Sequence, residues 1–582
     1  MKLFFQCSVY VFLLIQTFDV MPADSKYQTI SNEEWRTADN VINFQPFLAD
    51  AVGFNLQNGG QAYSGKLVNL NYHVNIWYVI RLQPTSNKKR ARYFNLENSF
   101  PASQSLGMAP DGTLLLIDGD GNSLTCNLFG ETDSAHNLLK TTKRNPYVSL
   151  CGGKVFLRTQ QRGNRNRIKW SKVADDSSMP WDYEDNTVDI AKEYFFGSAD
   201  RESGANAKAH HQQTETAVAP NNAKMSRQST IPIYNTRFAL AENTGKFLQA
   251  GQWYKAKNYD SVYLSLMKPG LIDKTILSSF RDRVAPINRV GGNGTRGSER
   301  DAVVTSVAMD LSKYSIGWNN GTKHPGVGWS RRAYGVRKKP RQGPDGFKSL
   351  RPQLAFPGVV HPLILPKVVG TFAGGFQRKD SAFKRGPLRD FNKGHHYGFM
   401  EKGVLMSTLV PNLATFITYT NGDVDIKTWT KEDNEKLHLV RDARQNGVPL
   451  IENGEPSPLV RQWVPGNWFG SAKAELKTLR TSACILNEDG KRYLMISFFS
   501  SHTPNALARV LQSYGCNYAM QFDINGLMLT YAAFFQRDDK GGFNIEHLYS
   551  PMRTEDVRAN GLRAPRSIVT PNYKDFFYVI KR

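Results

Sequence analysis

A chain of 582 residues exceeds what one hydrophobic core ordinarily supports, so about two or three domains are expected. Hydrophobic residues at 40% and aromatics at 12% exclude a chain disordered throughout. A net charge of +23 and a pI near 9.6 exclude an acidic surface and direct attention to anionic partners.

Residues 1–23 read as an export signal. Lys2 gives a basic start, Leu3 to Ile15 is mostly apolar, and Pro22-Ala23 offers a small residue before Asp24 opens a polar segment. Gln6, Ser8, Gln16 and Asp19 interrupt the run, which argues against an uncleaved anchor, because a spanning helix needs ~20 predominantly apolar residues. A secreted or periplasmic protein is therefore expected. Beyond the signal the cysteines are Cys126, Cys151, Cys484 and Cys516, an even set whose local pairing is 126–151 with 484–516. Four buried thiols are the competing reading. The absence of a Cys-x-x-Cys spacing disfavours a zinc or thioredoxin-like site.

Residues 24–197 read as a β-rich accessory domain. Leu114 to Ile117 lies between the turns Pro110-Asp111-Gly112 and Gly119-Asp120-Gly121, and Val155 to Leu157 follows Gly152-Gly153. Asp118, Asp120 and Asn122 have the opening spacing of a calcium loop, but Ser123 and Phe129 stand where Gly and Glu are needed, so a polar turn is expected. Residues 198–230 read as a polar linker that includes His210 and His211, and residues 231–582 as a second domain. Within it, the stretch Arg331 to Arg351 carries eight basic residues against Asp345 alone. In an exported protein a phosphorylated or acidic glycan suits that stretch better than nucleic acid does, and a solvated basic loop is the plain alternative.

Further along, Asn421-Gly422 between Ala414–Thr420 and Asp423–Trp429 predicts a hairpin with a type I′ turn. Ser482–Leu486 and Lys491–Ile496 predict another with a longer loop. Thr503 and Pro504 then start a helix that Gly515 ends, with Leu507, Val510, Leu511 and Tyr514 on one face. Asn517 to Asp523 alternates as a strand, which places Asp523 at its carboxyl end, where functional groups of such sheets gather.

This order of elements resembles the phosphodiester glycosidase family. Thr371 to Phe376 resembles its Asn-Gly-Gly-Phe signature, His396 to Met400 the segment that follows, and Glu401-Lys402-Gly403 its turn. Gln445 to Ile451 is similar to the Asn-Gly-Gly-Pro-Leu run, Arg480 to Ala483 to the Arg-Thr-Ala strand, and Met520 to Asp523 to the strand ending in Asp-Gly-Gly-Gly-Ser. Val262 to Ser265 and Gly321 to Trp329 resemble the entry strands, so the likeness covers roughly 232 to 582. Two positions depart: Ala373 replaces the signature Asn, and Ile524-Asn525-Gly526 replaces the glycine-rich loop, as in a bacterial subgroup with Asp-Ile-Asn. The resemblance implies an α+β/mixed fold, with a C-terminal mixed α/β domain behind the β-rich N-terminal one. It also implies an exported hydrolase that cleaves a glycosyl phosphodiester, and the departures favour the rival reading of a lapsed relative that binds anionic glycans.

Cleaving a sugar phosphodiester needs cations or N–H donors around phosphate and an acid or base at the scissile oxygen. Arg480 reads as a phosphate clamp or a structural ion pair. Asp523 reads as a general base, a divalent-metal ligand or the group that orients Arg480. His396 reads as a proton donor or a structural histidine. Gly374 and Gly375 read as backbone donors or a tight turn, and Asn446 and Asn525 as sugar-hydroxyl partners or turn residues. Arg444 and Glu452 complete the candidates. The residues call for no particular cofactor and leave a divalent metal open.

Overall fold

The computed structural model describes residues 42–43, 50–58, 60–69, 74–86, 92–128, 148–159, 219–278, 299–322, 324–325, 357–377, 397–457, 460, 477–538, 542–559 and 562–582. The expected export signal, residues 198–218 of the linker, the basic stretch 331–351 and His396 fall outside the described residues.

Among the described residues the chain is predominantly β, and this corrects the expected α+β/mixed class with an α/β C-terminal domain. The reason lies in how the strands pair. In the eight-stranded sheet, Lys491–His502 and Ala519–Ile524 flank Thr478–Glu488, and each runs antiparallel to it. The helix Pro504–Ser513 therefore makes a crossover over one strand inside an otherwise antiparallel sheet. It does not begin a βαβ series. Every other neighbour in that sheet, from Val262–Met267 and Val304–Asp310 to Ile451–Glu452, is also antiparallel.

The five-stranded sheet has the order Tyr314–Asn319, Phe576–Lys581, Val368–Ala373, Ala532–Arg537, Phe543–His547. A six-stranded sheet holds the Ala414–Tyr419/Val424–Thr428 hairpin beside Val440–Gln445, with Phe399–Glu401 and Val404–Ser407 beyond. The N-terminal six-stranded sheet is a meander from Asp50–Asn58 to Arg92–Asn98, extended by Val155–Thr159 and Val148–Leu150. Between those last two groups lies a small three-stranded sheet, Gln104–Met108, Leu114–Asp118 and Ser123–Cys126.

Alternating burial joins these layers. Phe372, Phe416 and Phe522 surround Phe577, with ring centroids 4.9, 4.6 and 5.2 Å from it. The same continuous buried cluster includes Val68, Trp77 and Val79 of the N-terminal sheet, with Ile76 just before its strand Trp77–Pro84. On the other face of the eight-stranded sheet, Leu507, Val510, Leu511 and Tyr514 of the helix are buried with Cys484, Met495 and Ala519. Thr503 Oγ1 accepts from Ala506 N at 3.3 Å and caps that helix, with Pro504 in its first turn.

Both expected disulfides are formed, Cys126–Cys151 and Cys484–Cys516, with Cα separations of 5.5 and 5.9 Å. Asp118 closes a polar turn, accepting from Asp120 N and Asn122 N at 3.0 and 2.8 Å. Among the described residues no helix is long and apolar enough to cross a membrane.

Candidate functional site

The site is built where Ala519–Ile524 meets the turn after Val368–Ala373. Period-two alternation sends Met520 and Phe522 into the large core and leaves Gln521 and Asp523 on the other face. Gly374 ties two chain segments to the turn: its N–H donates to Asp575 O at 2.9 Å, and its carbonyl accepts from Asp523 N at 3.2 Å. A side chain at Gly374 would strike the Asp575 carboxylate, and one at Gly375 would lie 2.7 Å from Asn446 Oδ1. The paired glycines are thus required by the close approach of polar groups.

Four charged side chains alternate in sign around this turn. Arg444 Nε donates to Asp575 Oδ2 at 2.9 Å, and both side chains have no solvent exposure. Gly375 N also donates to that oxygen, at 3.3 Å. Asp575 Oδ1 accepts from no described residue. Arg444 is fixed further by the carbonyls of Gln445 and Phe376, at 2.6 and 2.7 Å. Lys574 Nζ pairs with Asp523 Oδ2 and reaches Gly375 O at 3.3 Å. Asp523 Oδ1 accepts from Ile524 N at 2.9 Å. Burial pushes the Asp523 carboxyl above its ordinary value, and Lys574 draws it partly back. Asn446 braces the turn: its Oδ1 accepts from Phe376 N at 2.9 Å, and its Nδ2 donates to Gln521 O at 2.6 Å.

Arg480 lies on the same face of the sheet but points to different partners. Its Nε donates to His502 O at 2.7 Å and its Nη1 to Gln521 Oε1 at 3.0 Å. Gln521 therefore stands between Arg480 and Asn446, and the cation on Asp523 is Lys574. Around Arg480 sits a second buried polar group at the start of the helix. Glu299 Oε1 accepts from Thr503 N and Oγ1 at 2.5 and 2.7 Å. Burial pushes Arg480 down to about 9 and Arg509 to about 10, with Glu299 opposing both shifts. Burial also pushes His502 to about 3, and the charges of Arg480 and Lys477 add to that shift.

Gly374, Gly375, Arg444, Asn446 and Asp523 therefore converge, and Arg480 joins them through Gln521. Asn525 is an exposed turn residue with φ +78°, its N–H on Leu479 O. Glu452 accepts from Thr428 Oγ1 at 2.9 Å. Lys574 and Asp575 belong to the site but escaped the sequence reading. Their one signal is a charged pair set directly before the apolar run Phe576 to Ile580. Among the described residues no three His, Cys, Asp or Glu side chains converge to hold a metal ion.

No protein-family model matches this chain, and no curated protein matches it. Among solved structures it is similar to the catalytic domain of zebrafish N-acetylglucosamine-1-phosphodiester alpha-N-acetylglucosaminidase, auto-inhibited by its pro-peptide. That likeness has a TM-score of 0.29 at 11% identity and covers 64% of this chain and 100% of that one. It is also similar to a hypothetical protein from Synechocystis, with a TM-score of 0.21 at 10% identity, over 91% of this chain and 99% of that one. At TM-scores this low neither likeness establishes a shared fold.

Proposed function

We propose that the protein is an exported hydrolase that cleaves a glycosyl phosphodiester in an envelope or extracellular glycan. The observation that carries this reading is the set of alternating buried charges, Arg444, Asp575, Lys574 and Asp523, packed on the Gly374-Gly375 turn. Two cations suit a phosphate, and the Lys574–Asp523 pair holds a proton that suits protonation of the departing oxygen. Net charge supports an acidic or phosphorylated glycan as partner, and the two disulfides support an oxidising compartment.

The test is sugar release from a panel of glycosyl 1-phosphodiesters. The parent is expected to turn over at least one of them, and Asp523→Asn to lower kcat by about 10²–10⁴-fold. A second reading, a lapsed relative that binds anionic glycans, is favoured by Ala373 and Ile524, buried at 7% and 2% exposure where the resembled family carries Asn and Gly. Tight glycan binding in calorimetry with no turnover on the whole panel would establish that reading instead.

A further inference from the structure

We infer that Asp575 is the general base of the hydrolysis, acting through Oδ1 on the attacking water; the assignment rests on the phosphodiester hydrolase reading above. Of the four carboxylate oxygens at the site, three are engaged. Lys574 Nζ and Ile524 N occupy the two oxygens of Asp523, and Arg444 Nε with Gly375 N occupies Oδ2 of Asp575. Only Asp575 Oδ1 accepts from no described residue, although the side chain is wholly buried. A buried carboxylate oxygen without a donor is costly, and a water or hydroxyl delivered with the substrate removes that cost.

The surroundings also fix where Oδ1 points. Two donors on Oδ2 set the plane of the carboxylate, and the contacts of Arg444 to Gln445 O and Phe376 O stop the guanidinium from swinging away. Gly374 N holds the Asp575 carbonyl. Such support from neighbouring groups is what a base needs to meet its proton in a fixed geometry.

In the step assigned here, a water oxygen forms a bond to the anomeric carbon while one water proton passes to Asp575 Oδ1. The bond from that carbon to the phosphate oxygen breaks, and its electron pair stays on the phosphate oxygen. That oxygen takes the proton that Lys574 shares with Asp523. The products are the free sugar and a phosphomonoester, and solvent then takes the proton from Asp575 and returns one to the Lys574–Asp523 pair. Direct displacement by water inverts the anomeric centre, whereas a carboxylate that attacked as nucleophile would give retention.

Proton NMR of the first-formed sugar from the parent protein decides this without a variant. The inverted anomer is expected, and the retained anomer overturns the assignment. Asp575→Asn is expected to lower kcat about a thousandfold while binding of a non-hydrolysed sugar phosphate stays within about threefold. Should that variant fold poorly for want of a charge beside Arg444, the NMR result still decides. An active parent whose Asp575→Asn variant keeps its kcat overturns the base assignment alone. A parent that hydrolyses no glycosyl phosphodiester overturns the proposed function and this assignment together.

Discussion

Glu401 is a single side chain whose burial should be visible in the stability of the whole protein. Its Oε2 accepts from Asn320 N and Nδ2 at 3.1 and 2.7 Å, while Oε1 accepts from no described residue. Burial lifts the carboxyl to about 7, with Lys402 opposing the shift and Asp442 adding to it. Tyr578 lies within electrostatic reach of the same group, and Arg441 faces Asp442. A carboxyl raised on folding binds its proton more tightly in the folded state. The stability it contributes is full below the unfolded value of 4.5 and is lost as pH rises through about 7. Lowering pH from about 8 to 5 should therefore stabilise the parent relative to Glu401→Gln by on the order of 2–3 kcal/mol. Urea unfolding of both proteins across that range measures it, and parallel pH profiles would reject it. At this scale turn and strand-end chemistry marked Gly374, Gly375, Asn446 and Asp523 in the sequence, Arg444 was named with no local signal, and the structure brings the five together. Asp575 was not legible, since nothing local distinguishes it from a charged residue at the edge of an apolar run.

The helix Pro504–Ser513 shows which elements a sequence announces and where that ends. Thr503, Pro504 and the apolar stripe announced its start and its buried face, and both are as expected. The second hairpin is tighter than expected: Glu488 pairs with Lys491, and Asp489 and Gly490 alone make the turn, with φ of +47° and +76°. Strand pairing was the hidden part. A run of strand, helix and strand reads the same whether the two strands are neighbours or are separated by a third, and here Thr478–Glu488 separates them. Cys484–Cys516 joins that middle strand to the end of the helix across a sequence separation of 32. Replacing both cysteines with Ala should cost about 2–4 kcal/mol by urea unfolding, since the unfolded chain loses a closed loop. An unchanged midpoint would mean that helix packing alone holds this unit.

At the scale of the molecule, the N-terminal sheet and the later sheets share one buried cluster, through Val68, Trp77 and Val79. Lys402 Nζ adds an ion pair to Glu97 at 2.8 Å and sits 5.9 Å from the centre of the Trp77 ring. A fragment spanning 219–582 should therefore unfold at a clearly lower temperature than the full chain, because it exposes apolar surface that the N-terminal sheet covers. Equal midpoints in thermal unfolding would show that the shared cluster contributes nothing to stability. Such long-range joins were illegible in one sequence, since alternation reports which face of a strand is buried and not against what.

The strand Phe576–Lys581 lies between Tyr314–Asn319 and Val368–Ala373 and carries Lys574-Asp575 at its entrance. Ribosomes deliver a chain from its N-terminus, so this middle strand is made long after both of its neighbours. Until it arrives, the two flanking strands each hold an unpaired edge open to the wrong partner. The site likewise lacks two of its four charges until positions 574 and 575 have been made. A chain that has not reached position 574 thus carries Arg444 and Asp523 without the partners, Asp575 and Lys574, that they pair with in the full chain.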